Sequence, residues 1–71
     1  MERVPIESEA LCGVGYDPGQ RVLEVEFRSG EVYRYFNVPE HEYLALMEAD
    51  SFGVHFVERV RNRGYRFHHV G

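Results

Sequence analysis

The residues able to do chemistry are few and scattered. Four histidines (His41, His55, His68, His69) and one cysteine, Cys12, are the possible soft ligands for a metal. None of them forms a Cys-x-x-Cys, His-x-His or His-x-x-x-His pair, the spacings that aim two ligands at one ion. His68 and His69 also fall in a terminus expected to be mobile, so no metal site and no cofactor are expected. Cys12 has no basic neighbour in sequence to lower its pKa, which points to an inert buried thiol. Ser51 precedes Gly53 at an expected helix start, where backbone amides can hold an anion. Asp50 beside it repels an anion, so capping by Ser51 and close helix packing at Gly53 are the expected roles. No glycine-rich phosphate loop, triad order or nucleophile elbow is present. The expectation is a binding domain without enzymatic activity.

Charge carries more information. All eight basic residues are arginine, against twelve acidic residues, for a net charge of −4. Up to Asp50 four arginines face eleven acids, whereas from Ser51 onward Arg59, Arg61, Arg63 and Arg66 face Glu58 alone. An acidic chain is a poor general binder of nucleic acid, but a local basic end is attracted to phosphate. The four arginines are therefore the candidate nucleic-acid contacts. The structural alternative is that they complement a helix C-terminus and its open carbonyls. At 100° per residue, Arg59 and Arg61 fall on opposite flanks of the Phe52–Phe56–Val60 stripe, so no single groove-binding face is formed.

Tyr33 and Tyr35 are the other candidates, because neighbouring aromatics on an open sheet can stack on bases. Their orientation depends on a hairpin register. A two-residue loop at Ser29-Gly30 exposes both tyrosines, buries Arg34 and forces a positive φ on Ser29. A three-residue loop, residues 28–30, puts Gly30 at the left-handed position. It pairs Val25 with Tyr33, Leu23 with Tyr35, Glu24 with Arg34, and Glu26 with Val32. Burying an unpaired arginine costs several kcal/mol, on the order of ~3–5, so the longer loop is expected and the tyrosines are structural. The outer sheet face then carries Val22, Val32 and Phe36 among Glu24, Glu26 and Arg34. If contiguous, those three apolar side chains form a surface for a second copy or for another protein.

The elements that must position these groups are short. Residues 11–16 read as a strand, 21–27 alternate cleanly, and 31–37 return as a third strand. Val38-Pro39 ends the sheet, and Pro39 suits the first position of a helix over 40–49. Asp50-Ser51 caps a second helix that Gly64 stops. Tyr65, Phe67 and Val70 can form a short closing extension. The expected fold is α+β, a three-stranded antiparallel meander with two helices on one face (β-β-β-α-α). Its core would be Val14, Tyr16, Leu23, Val25, Phe27, Tyr33, Tyr35, Leu44, Met47, Phe52, Phe56, Val57 and Val60. Seventy-one residues make one domain, 1–71, with no linker or repeat. No run is apolar enough for a signal peptide or membrane span, and a cytoplasmic location without membrane contact is the default expectation.

Several local motifs resemble one family when taken together. They are Val14-Gly15-Tyr16-Asp17, Leu23-Glu24-Val25-Glu26-Phe27, Gly30, Tyr33-Arg34-Tyr35 and Asn37-Val38-Pro39, then Ala49-Asp50-Ser51 with Gly53, Phe56, Arg61 and Tyr65. Their order and spacing resemble the KTSC domain, which is named for the C-terminal extension of some lysyl-tRNA synthetases and also occurs as small stand-alone proteins. The resemblance covers about residues 8–67 and makes Tyr33, Tyr35, Asp50, Ser51 and Gly53 family-motif positions. It implies a small domain with RNA, such as a tRNA, as its partner. The expected function is weak RNA binding through the basic C-terminal end; the alternative is self-association or protein binding through the Val22–Val32–Phe36 face.

Overall fold

Alternating apolar residues produce the strands, and turn and cap chemistry separates them. The computed structural model describes residues Met1–Gly71. The chain runs β1 (Val4–Pro5), β2 (Leu11–Asp17), β3 (Val22–Phe27), β4 (Val32–Tyr35), α1 (Glu40–Met47), α2 (Phe52–Arg59), a 3-10 turn (Arg61–Arg63) and β5 (Phe67–His69). All neighbouring strands are antiparallel, in the order β1-β2-β3-β4-β5. The sheet thus has five strands where three were expected. The two additional strands are edge strands of two and three residues, too short to show alternation. His68 and His69, expected to be mobile, are held with Phe67 on β4, with Phe36 N–H donating to Arg66 C=O and Val70 N–H to Val32 C=O, each at 2.8 Å.

The central hairpin has the three-residue loop. Gly30 takes φ 95°, its amide donates to the Phe27 carbonyl and the Phe27 amide to the Glu31 carbonyl, both at 2.9 Å. Val25 consequently faces Tyr33, Leu23 faces Tyr35, and Glu24 faces Arg34. Both helices lie on the Leu23–Val25 side. Leu11, Val14, Leu23, Val25, Tyr35, Val38, Leu46, Phe56 and Val60 form the buried core.

Two expected core residues are exposed. Leu44 is 52 % accessible and Val57 38 %. In α1 the inward stripe is Glu42, Tyr43, Leu46 and Met47, which leaves Leu44 about 130° away at ~100° per residue. In α2 the stripe centres on Phe56, and Val57 lies on its flank. Pro39 stands at the N-cap of α1 without a side-chain cap bond, one position before the helical turn expected for it. Ser51 does cap α2, its hydroxyl accepting from the Val54 amide at 3.3 Å.

The outer face is not an open, solvated surface. Gly13 and Gly15, which weaken β2 as a strand, leave room there for the N-terminal residues. A Cβ on Gly15 would lie 2.7 Å from the Glu2 carbonyl oxygen. Arg3 crosses above Gly13 and reaches β3, where it pairs with Glu24 at 2.7 Å and Glu26 at 3.3 Å. Arg34 closes on Glu24 from the other side at 2.8 Å. Glu24, expected on the solvated face, is thus only 3 % accessible, and Val22 is buried as well. Gly15→Ala is expected to cost about 1–3 kcal/mol by overpacking. In a chain lacking residues 1–3 the same change should be nearly neutral. Urea denaturation of the four proteins tests this, and an equal penalty in both backgrounds would refute the close approach as its cause.

Candidate functional site

Where β4 and β5 run beyond the cover of the helices, the helix side of the sheet stays partly open. Strand alternation puts Tyr33, Tyr35, Phe67 and His69 on that side, since Tyr33 faces His69 and Tyr35 faces Phe67. Phe67 stacks on Tyr33 with centroids 5.9 Å apart and ring planes 14° apart. His69 lies 4.6 Å from the same ring, and Phe27 meets it edge-on at 5.6 Å. Tyr35 packs edge-on against Phe56 at 5.5 Å and is 4 % accessible. Burial pushes the Tyr35 phenol above its usual pKa, with Arg61 acting against that rise. Tyr33 is half-buried and Phe67 is 62 % accessible. The tyrosines of the Tyr-x-Tyr pair therefore form the floor and wall of the site, and Phe67 supplies its open aromatic face.

Phe27, Tyr33, Tyr35 and Phe67 border a groove of about 480 Å³ whose rim carries Arg61, Arg28, Glu9 and Glu31. Arg61 arrives there because Val60, fully buried, ends α2 against the core and the 3-10 turn follows at once. Arg28 stands at the tip of the β3–β4 hairpin, where its Nε donates to the Ser8 carbonyl. Its backbone amide donates to the Ala10 carbonyl at 3.0 Å, so residues 8–10 are tied to the hairpin as one wall. Neither Arg61 nor Arg28 is within ion-pair distance of a carboxylate. The groove thus offers an exposed ring for stacking, two guanidinium groups for an anion, and two carboxylates for hydrogen-bond donors.

The four C-terminal arginines do not all line this groove. Arg61 alone lines the groove. Arg59 points to Glu42, with Nη2 3.7 Å from Oε1, and the Tyr65 hydroxyl donates to the other carboxylate oxygen at 3.3 Å. Arg63 and Arg66 are exposed on either side of Gly64, which takes φ 82°. Of the other motif positions, Ser51 caps α2, Asp50 is exposed, and a Cβ added at Gly53 would lie 3.7 Å from the Ala10 Cβ. Val32 and Phe36 are half-buried and Val22 is buried, so these three do not make one open apolar patch. Gly71 lies against Val32, at 3.6 Å from a glycine Cβ position to the Val32 Cβ. Phe67, Phe27 and Arg28 are groove residues that sequence reasoning missed. The alternation of Phe67 and His69 was the available signal, but it spans one strand too short to orient.

Comparison with known proteins agrees with this architecture. The family model for the KTSC domain matches residues 7–65. A protein of Stutzerimonas stutzeri strain A1501 is 49 % identical over 67 residues, covering 94 % of each chain. A protein of Tsukamurella paurometabola is 39 % identical over 49 residues, covering 69 % of this chain and 73 % of its own. The crystal structure of a KTSC domain protein from Yersinia pestis superimposes with a TM-score of 0.90 at 34 % identity, covering 99 % of this chain and 97 % of that one. Matched by the family model over most of its length and by relatives along nearly all of it, the chain belongs to the KTSC domain family.

Proposed function

We propose that the domain binds single-stranded RNA, with one base stacked on Phe67 beside Tyr33 and the adjoining phosphate held by Arg61 and Arg28. The observation that supports this reading is the exposed Phe67 ring in the same groove as Arg61, a guanidinium without a carboxylate partner. Aromatic rings accept any base by its π-face, and arginine contacts add backbone affinity. Arg63 and Arg66 supply further positive charge at this end of an otherwise acidic chain. The resemblance to a synthetase extension points to the same class of ligand.

Titration into a fluorescent tRNA and a short unstructured RNA, at low and moderate salt, tests the proposal. Phe67→Ala should weaken binding by about 1–3 kcal/mol, the usual value of one base stack. Arg61→Gln should flatten the salt dependence by about one unit. Replacing Arg59, Arg61, Arg63 and Arg66 by Gln together should reduce binding further, once a melting curve confirms that the fold survives. Absence of binding by the parent protein at low salt, or equal binding by the quadruple variant, would overturn it.

A further inference from the structure

A second groove lies on the other side of the wall formed by residues 8–10, between that wall and α2. It encloses about 610 Å³ and is lined by Glu7, Glu9, Asp50 and Glu58 around Val54 and Val57. That volume is in the range of pockets that hold small or extended ligands, roughly 300–1,000 Å³. Val54 is 58 % accessible and Val57 38 %, two neighbouring β-branched residues exposed on one helix. They share a face because α2 turns its Phe56 side inward and leaves the Gly53–Val54–Val57–Glu58 side outward.

The four carboxylates have no partner within the chain. None is within ion-pair distance of an arginine or histidine, and no basic residue lines the groove. They do not converge either, since no three acidic or ligating side chains are placed to hold a metal ion. Spread around an apolar floor, they match separate cations carried on one chain, and not a single small ion. Both walls are preformed: the Ser8 hydroxyl accepts from the Ala10 and Leu11 amides at 3.2 and 3.4 Å, and the opposite wall is a helix anchored by buried Phe56. Such preorganisation lowers the ordering cost of binding.

We infer that this groove docks a basic segment of a partner protein, an apolar side chain seated on Val54 and Val57 with flanking arginines or lysines against Glu7, Glu9, Asp50 and Glu58. The charge complementarity is specific to this face, because the aromatic groove beyond the wall carries arginines of its own. The inference is independent of RNA binding.

The probe is a short fluorescent peptide with one leucine between pairs of arginines, followed by anisotropy with the full chain. Saturable binding that weakens at least tenfold in the Glu7→Gln/Asp50→Asn/Glu58→Gln variant, and severalfold in Val54→Ser, supports the inference. An arginine–serine peptide should bind several times more weakly than the leucine peptide. Thermal melts of each variant guard against loss of fold. Equal affinity of the parent and triple variants, or equal affinity for the two peptides, would overturn it. So would sedimentation showing that Val54→Asp converts a dimer to a monomer, because the occupant would then be a second copy.

Discussion

Phe56→Ala is expected to lower the stability of the domain by about 3–5 kcal/mol, the usual cost of emptying a buried aromatic site. Phe56 is 2 % accessible and is the largest fully buried side chain. It meets Phe27 and Tyr35 edge-on, at 5.6 and 5.5 Å, and so joins α2 to both strands of the central hairpin. Each such pair contributes roughly 0.5–1.5 kcal/mol beyond the buried area. The surrounding residues cannot close the cavity readily, because Val25, Leu46 and Val60 are themselves anchored in the core. A chain of 71 residues has a total stability of roughly 4–11 kcal/mol, taking ~0.05–0.15 per residue. The variant should therefore be largely unfolded at modest urea concentrations. Equilibrium denaturation read by tyrosine signals and by backbone dichroism gives the answer, and an unchanged midpoint would refute the core assignment. Leu44→Ala, on the exposed side of α1, should shift the midpoint little in the same experiment.

A second large effect on stability is expected at Glu24. Its carboxylate is buried and accepts from Arg34 at 2.8 Å and Arg3 at 2.7 Å. Glu24→Gln retains the shape and removes the charge, and hydrogen bonds to charged groups contribute about 1.5–3 kcal/mol each. Both arginines keep access to water, so the loss should fall short of the ~3–5 kcal/mol seen when a fully buried charge is orphaned. A loss of about 1–3 kcal/mol is the expected result, with amide exchange accelerating at Ile6, whose N–H donates to the Cys12 carbonyl as β1 docks on β2. Acid should erase the difference. Burial acts to raise the Glu24 pKa, the bonds from Arg34 and Arg3 outweigh it, and the folded value lies below the usual 4.5. A carboxylate with a depressed folded pKa contributes stability above its unfolded pKa and loses it as pH falls through the folded one. The gap between parent and variant should be constant near neutrality and shrink only below about pH 4.5. A gap of the same size at strongly acid pH would show that the ion pairs are not its source.

Local chemistry was legible in the residues. Gly30 is the only residue of its loop that adopts a positive φ without penalty, so the hairpin register followed from it, and with that register the inward side of Tyr33 and Tyr35. Ser51 before an apolar stripe announced a capped helix, and the order of strands and helices followed from alternation and from Pro39. Each of these depends on contacts within a few residues, where side-chain type and spacing already determine the energy.

Tertiary contact decided the rest. Five strands form because residues 4–5 and 67–69, more than sixty positions apart, add to opposite edges of a sheet whose centre already exists. Glu24 reads as a solvent-facing strand residue until Arg3 crosses above Gly13 to cover it. Leu44 and Val57 read as core because a helical stripe of four or five apolar residues can be turned by half its width, and only the shape of the sheet beneath selects the rotation. The same holds for the candidate site. Arg61 and Phe67 lie six positions apart across a turn, and Phe27 is distant from both, so their meeting in one groove depends on how α2 ends against the sheet. Periodicity along the chain carries the energy of near neighbours; the groove is made by residues that become neighbours only once the sheet and helices have packed.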